Sequence, residues 1–376
     1  MAMAGVVADA LGPDVRDEFQ MVPEVERVIA PGALDEAATA LRASSANGLS
    51  VLVWGGGTHQ GIGYPVAADV VLVTTRLDRI VDWQPDDLTV VVEAGIRVAD
   101  LESALAERGQ SAVLPELPGD ATVGGVIATG MSGWRRLRYG PTRDRMLEVV
   151  LVTGDGRVVT GGGRVVKNVT GYDIPRLATG SLGAVGLIGK VCLKLWPLPS
   201  HSGTIPVDDA AAARRTAYRP LAVIETEIGS NVYLAGTEAE VVGQAADLGS
   251  TPVPGLRWPE PLDGAWALSM RVPAAIVGDA VAKLRRVLPA CRFQAAHGVG
   301  EVRIGVDTAS VNEVAELRTW AEDRAGAVTV DRRPHGTDVD IDSWGAPPPA
   351  LQIQRRIKAA FDPAGALNPG RSAGRL

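Results

Sequence analysis

Glycine in this chain is bunched, and the bunching constrains the fold more than any other feature. The chain holds 44 glycines; Gly55-Gly56-Gly57 directly follows the apolar run 51–54, and a dense series extends from Gly119 to Gly189. Residues without a Cβ enter left-handed backbone readily and let amides come close to a ligand. Successive amides in such a loop form a concave ring of donors that suits phosphate oxygens. Gly55-Gly56-Gly57-Thr58 after a strand therefore reads as a diphosphate loop, with the Thr58 hydroxyl as a further donor. A tight turn would use the same residues. Gly61, Gly63 and Pro65 prevent a helix from following, so this is not the Rossmann order of strand, glycine turn and helix.

The remaining elements alternate around these loops. Apolar periodicity predicts helices over 33–46, 100–108, 277–288, 311–324 and 351–360. Valine-rich runs predict strands at 51–54, 70–74, 88–92, 147–153, 157–160 and 187–195. Further strands are expected at 222–227, 266–271 and 302–306. Trp196-Pro197-Leu198-Pro199 marks a boundary, after which glycine thins and strands alternate with alanine-rich helices. Pro347-Pro348-Pro349 reads as a hinge before the last helix. No repeat of 20–50 residues is visible. At 376 residues the chain has room for two or three domains of about 100–200 residues each.

Charge and cysteine content narrow the function. With 37 Lys+Arg against 44 Asp+Glu the net charge is −7, and no basic face for nucleic acid is expected. No apolar run approaches the ~18 residues of a membrane span, and no basic segment precedes an apolar one near the N-terminus. A cytoplasmic location follows as the expectation. The two cysteines, Cys192 and Cys291, cannot build a four-thiolate metal site or an iron–sulfur cluster. Four histidines, at 59, 201, 297 and 335, offer no obvious metal trio. Any electron chemistry must then use an organic cofactor.

Three further segments carry a resemblance. They are Pro118-Gly119-Asp120-Ala121-Thr122-Val123-Gly124-Gly125 running on to Thr129-Gly130, the stretch Lys167–Asp173 with Gly180-Ser181-Leu182-Gly183-Ala184-Val185-Gly186-Leu187-Ile188, and Asn368-Pro369-Gly370-Arg371. With the first glycine loop, and in this order, they resemble the FAD-dependent oxidoreductases with a PCMH-type (vanillyl-alcohol oxidase) FAD-binding domain. Within that family the chain is most similar to the FAD-binding E subunits of glycolate oxidase. The resemblance is good over 25–199 and 350–371 and weak over 200–345.

It implies an α+β fold. Residues 1–24 would be an extension, and 25–199 a two-lobed FAD-binding domain with lobes at about 25–75 and 76–199. Residues 200–345 would form a smaller α+β cap, and 346–376 a segment returning to the FAD domain. The implied cofactor contacts are Gly55, Gly56, Gly57, Thr58 and His59 in the first loop, and Pro118, Thr122, Gly124, Gly125 and Thr129 in the second segment. Gly183, Gly186 and Ile188 would border the adenine or ribitol, with Asn368 at the returning C-terminus. Thr58 aligns with the position where some relatives tether the flavin through histidine, so non-covalent FAD is expected, with His59 as a loop residue.

Relatives that oxidise 2-hydroxy acids need a base and a cation, and many carry a His-x-Gly-[Asp/Asn]-Gly-x-x-His element. The corresponding stretch here runs from Ala296 to Arg303: His297 is displaced by one position and Arg303 replaces the second histidine. His297 and His335 are the candidate bases, and Arg138 with Tyr139, close after the glycine helix, the candidate substrate-side pair. No metal is expected. The implied role is an FAD subunit of a glycolate-oxidase-like complex. A second flavoprotein and an iron–sulfur subunit would be its partners, and the membrane would be reached only through them. A free-standing FAD enzyme acting on a 2-hydroxy acid or sugar alcohol is one alternative, and an assembly subunit that binds FAD weakly is another.

Overall fold

The structure, a computed structural model, describes residues 11–18, 25–117, 119–164, 171–334 and 341–376. Pro118, His335 and the Lys167–Thr170 part of the third motif lie outside the described residues.

The first sheet is small and parallel. Strands β1 (Arg27–Ile29), β2 (Val51–Trp54) and β3 (Val70–Val73) lie in the order β1-β3-β2, with helix α1 (Leu34–Ala46) connecting the first two. Such a connection between parallel strands needs a crossover of this kind. Leu41 of α1 packs on Val51, Val70 and Leu72, all essentially inaccessible.

A five-stranded antiparallel sheet follows. It contains β4 (Ile80–Gln84), β5 (Thr89–Glu93), β7 (Met146–Val152), β8 (Val158–Gly162) and β9 (Leu187–Lys194), in the order β4-β5-β9-β7-β8. Leu88, placed in a strand by its apolar character, instead has φ 52°, so the pairing starts one residue later at Thr89. Helix α2 (Val98–Ala106) buries Leu101 and Leu105 against this sheet, and Gly109, at φ 66°, turns the chain out of it. Short strands β6 (Gln110–Ser111) and β10 (Trp196–Pro197) pair beside it. Three short helices, α3 (Val123–Thr129), α4 (Arg136–Tyr139) and α5 (Ile174–Ala178), decorate the glycine-rich region.

The third sheet has eight antiparallel strands: β11 (His201–Val207), β12 (Ala222–Thr226), β13 (Gly229–Gly236), β14 (Val253–Pro254), β15 (Trp266–Arg271), β16 (Arg292–Ala296), β17 (Glu301–Val306) and β18 (Ala327–Arg332). Helices α6 (Ala210–Thr216), α7 (Glu238–Asp247), α8 (Val277–Val287) and α9 (Val311–Glu322) join them. Their order, β14-β11-β13-β12-β16-β17-β15-β18, is symmetric about the β12–β16 pair. Each half is a split β-α-β-β-α-β unit. The cap is thus a topological duplication that no sequence repeat announces. Period-2 alternation sends Val302 and Ile304 of β17 toward α8 and α9, while Glu301 and Arg303 point to the opposite face.

Helix α10 (Leu351–Phe361) lies on the second sheet through Ile357 and Phe361. Beyond it the chain crosses to the first sheet, where Leu367 is buried in the core and bridges to Val51 in parallel. Among the described residues no helix is long and apolar enough to cross a membrane.

Candidate functional site: a cavity between two lobes and a C-terminal strap

One cavity is lined by residues from five separate parts of the chain: Val53 and 55–60, Thr74, residues between Thr122 and Thr129, residues between Leu182 and Ile188, and Asn368 with Arg371. The glycines are there because neighbouring backbone leaves no room for a side chain. A Cβ on Gly55 would overlap the Thr122 hydroxyl, and one on Gly56 the Asp120 carbonyl. The first glycine loop and the 120–122 segment are thereby pressed together. Gly57 adds a left-handed turn at φ 75°. Among the described residues, the amides of Gly55, Gly56, Gly57 and Thr58 donate to no acceptor in the chain. Paired amides are the rule in folded proteins, so four consecutive free ones lining a cavity form a nest for an anion.

The second segment is shaped by local capping. Thr122 caps α3, its Oγ1 accepting from the Gly125 amide at 3.2 Å. Thr129 Oγ1 donates back to Gly125 O at 2.9 Å, so its lone pairs alone are available to a ligand. Gly130, at φ 67°, ends the helix, and Leu182 N donates to Ala128 O at 2.7 Å, bringing the 182–188 segment alongside.

Asn368 clamps the lobes. Its Oδ1 accepts from Val53 N at 2.9 Å, its Nδ2 donates to Leu182 O at 2.7 Å, and its own amide donates to Val51 O at 2.8 Å. A side chain so committed shapes the cavity wall more than it offers groups to a ligand. Asp362 holds the strap's approach: Oδ1 accepts from Ala366 N at 3.0 Å, and Oδ2 from Leu367 N and Lys358 Nζ, both at 2.9 Å.

Residues 25–162 match the model of a family described as an FAD binding domain. The amide nest, the small-residue wall and the two-lobed cavity fit a dinucleotide diphosphate. Residues 25–162 therefore form an FAD-binding domain of the PCMH type. It is 27% identical to the glycolate oxidase subunit GlcE of Escherichia coli (strain K12), over 85% of this chain and 92% of that protein. It is 31% identical to the glycolate oxidase subunit GlcD of Bacillus subtilis (strain 168), over 51% of this chain and 41% of that protein. It is 33% identical to a D-lactate dehydrogenase of Archaeoglobus fulgidus, over 45% of this chain and 38% of that protein. The chain thus spans about two-fifths of the length of the last two relatives. Among solved structures, an alkyldihydroxyacetonephosphate synthase superposes with a TM-score of 0.66 at 15% identity, over 94% of this chain and 78% of that one. That likeness is one of fold.

The FAD-binding domain brings together every implied cofactor residue that is described: Gly55, Gly56, Gly57, Thr58, His59, Thr122, Gly124, Gly125, Thr129, Gly183, Gly186, Ile188 and Asn368 all line the cavity. His59 sits at its edge, its Nδ1 2.8 Å from Thr58 Oγ1. Burial, and secondarily the nearby Arg303 guanidinium, hold its pKa below 6.5, which keeps the ring neutral.

The cap face that meets Trp134 is apolar in its first half and charged in its second. In the first half Leu221, Ala222, Ile224 and Tyr233 pack on Trp134 of the FAD domain. In the second, the Arg303 guanidinium lies 3.9 Å over the Trp134 ring, pairs with Glu301 at 3.1 Å and donates to Ser132 O at 3.3 Å. Glu301 is buried, which pushes its pKa up, yet Arg303, Arg271 and Arg136 outweigh burial and hold it low. Burial raises the pKa of nearby Asp331, despite hydrogen bonds from Ser269 and Thr329.

Of the candidate catalytic residues, the three that are described, His297, Arg138 and Tyr139, lie outside the cavity wall. His297 is not in the cavity wall; its Nε2 is 2.9 Å from Glu225 on β12, which also faces Arg285. Arg138 donates to Ala235 O of the cap, and Tyr139 meets Trp196 edge-on at 5.5 Å. Both serve the junction between FAD domain and cap. Among the described residues no cluster of three or more His, Cys, Asp or Glu is arranged for a metal. Sequence reasoning missed Arg371, Gln60, Thr74 and Leu182 in the cavity wall. Arg371 closes the Asn-Pro-Gly-Arg tail, which was its one available signal.

Proposed function

We propose that this chain is the FAD-binding subunit of a glycolate-oxidase-like oxidoreductase acting on 2-hydroxy acids. The carrying observation is the nest of four amides at 55–58, unpaired among the described residues, which shares one cavity wall with the 122–129, 182–188 and 368–371 segments. The likeness to GlcE along 92% of that protein supports the subunit role. Bound FAD supplies a two-electron acceptor. The chain's residues hold its diphosphate on free amides, exclude water with small apolar side chains, and keep His59 neutral at the cavity edge. His297, His335, Arg138 and Tyr139 stay as candidate substrate-side groups. A second flavoprotein and an iron–sulfur chain are the proposed partners, the latter because two cysteines cannot hold a cluster. The proposed location is cytoplasmic, peripheral to the membrane through those partners.

A free-standing enzyme is the second reading, favoured by the guanidinium-rich half of the cap, whose Arg303 acts on His59. Anaerobic titration of the purified chain with glycolate and D-lactate separates the two. A yellow protein that neither acid bleaches alone, but that is bleached once the partner flavoprotein is added, supports the subunit role. Bleaching by the isolated chain moves the assignment to the free-standing enzyme.

A further inference from the structure

Arg371 is a buried cation with no counter-charge among the described residues. Its residue is 5% exposed and lines the FAD cavity. Its Nε donates to Ile62 O at 3.2 Å, and Nη2 to His59 O at 3.2 Å and Gln60 O at 3.4 Å. Nη1 has no hydrogen-bond partner among the described residues, and none of them pairs a carboxylate with this guanidinium. Burial alone brings its pKa down to about 10. Arg145, also brought down to about 10, differs in having Glu116, Glu102 and Asp144 acting on it. Three long bonds to neutral carbonyls do not replace a missing anion, because a buried charge needs an opposite charge as well as donors and acceptors. Nor is the side chain adrift. The Arg371 carbonyl accepts from Tyr64 N at 3.0 Å and Trp344 Nε1 at 3.2 Å, so the residue is pinned against the glycine loop.

We propose that Arg371 is an anion-binding residue of the cofactor cavity, its guanidinium answering negative charge on the dinucleotide, so that cofactor binding and docking of the C-terminal strap are one event. Two parts of FAD carry that chemistry. The diphosphate is charged always, and the pyrimidine edge of the flavin gains charge on reduction. The proposal rests on the cavity being the FAD site.

The test uses apoprotein, with ADP, oxidised FAD and reduced FAD as probes, comparing wild type with Arg371→Gln and Arg371→Lys. Loss of the charge is expected to weaken binding by about 10–100-fold, with partial recovery in the lysine variant. Equal weakening of ADP and oxidised FAD assigns Arg371 to the diphosphate. Unchanged ADP and oxidised FAD with weakened reduced FAD assigns it to the ring. Arg371→Gln that binds all three within about twofold of wild type overturns the proposal. A wild-type chain that binds no FAD instead overturns the cofactor reading itself. Should Arg371→Gln fail to fold, hydrogen exchange on wild type decides. Protection of the Tyr64 and Asn368 amides on adding ADP or FAD supports the proposal, and unchanged exchange refutes it.

Discussion

A methyl group at position 56 would overlap the carbonyl oxygen of Asp120, whereas one at position 243, on the exposed side of α7, would touch nothing. The two glycines therefore answer to different physics. Gly56→Ala is expected to cost about 1–3 kcal/mol by overpacking and to weaken FAD binding, because the 120–122 segment must retreat from the loop. Gly243→Ala is expected to stabilise by about 0.5–1 kcal/mol, since helix interiors favour alanine. Urea unfolding midpoints and FAD titrations of both variants check the contrast. His59 gives a pH signature. Its folded pKa lies below 6.5, so the unfolded chain takes up the proton first as pH falls. The stabilisation is complete above the ordinary histidine value and is lost as pH drops below it toward the depressed value. His59→Gln should flatten the fall in melting temperature between about pH 7 and 5. An unaltered slope would show that His59 is not held neutral. The glycine positions were legible because each loop is a local signal, readable within ten residues. The partners that make them obligatory, Thr122 for Gly55 and Asn368 for Gly183, are far away in sequence and were not.

Elements repeat that division. Helix α1 and strands β2 and β3 are plain in the sequence because apolar periodicity and valine content agree with the environment they meet. Strand β13 was not foreseen: its Gly229 and Gly236 ends and short alternation look like loop, yet it sits between β11 and β12 and is paired on both sides. The duplicated cap was hidden for a related reason. Its two halves share connectivity, which sequence periodicity does not encode, and their inner faces have diverged into an apolar and a charged surface. The strap from α10 to Arg371 is an element without regular structure, held by buried polar groups. Asp362 is its hinge pin, with a side chain 0% exposed that accepts from two strap amides and Lys358. Asp362→Ala removes one partner of a buried pair and is expected to cost about 3–5 kcal/mol. Because the strap carries Leu367 and Asn368, the variant should also release FAD more readily than an equally destabilised core variant such as Leu284→Ala in the cap. Off-rate measurements on both, at matched stability, would expose a strap that plays no part in holding the cofactor.

For the whole molecule, the question is where electrons go after reaching the cavity. Cys192 lies on β9 of one sheet and Cys291 just ahead of β16 of another, and burial pushes each thiol up to about 11. A metal site needs thiolates held together, and two separated, protonated thiols do not supply one. The loop beside the cavity presents Thr58 and then His59, and His59 Nδ1 is engaged with the Thr58 hydroxyl. The cofactor is then expected to be held by amides, the strap and Arg371, without a covalent bond. Two results should coincide in the isolated chain. Acid precipitation should leave essentially all flavin in the supernatant, and the protein should carry about one FAD with no stoichiometric iron. Iron should appear only when a cysteine-rich partner is co-purified, and photoreduced flavin in the isolated chain should then pass its electrons on faster by orders of magnitude once that partner is present. Flavin retained in the acid pellet would relocate the tether to the 58–59 loop. Iron bound by the isolated chain would remove the argument for a separate electron carrier.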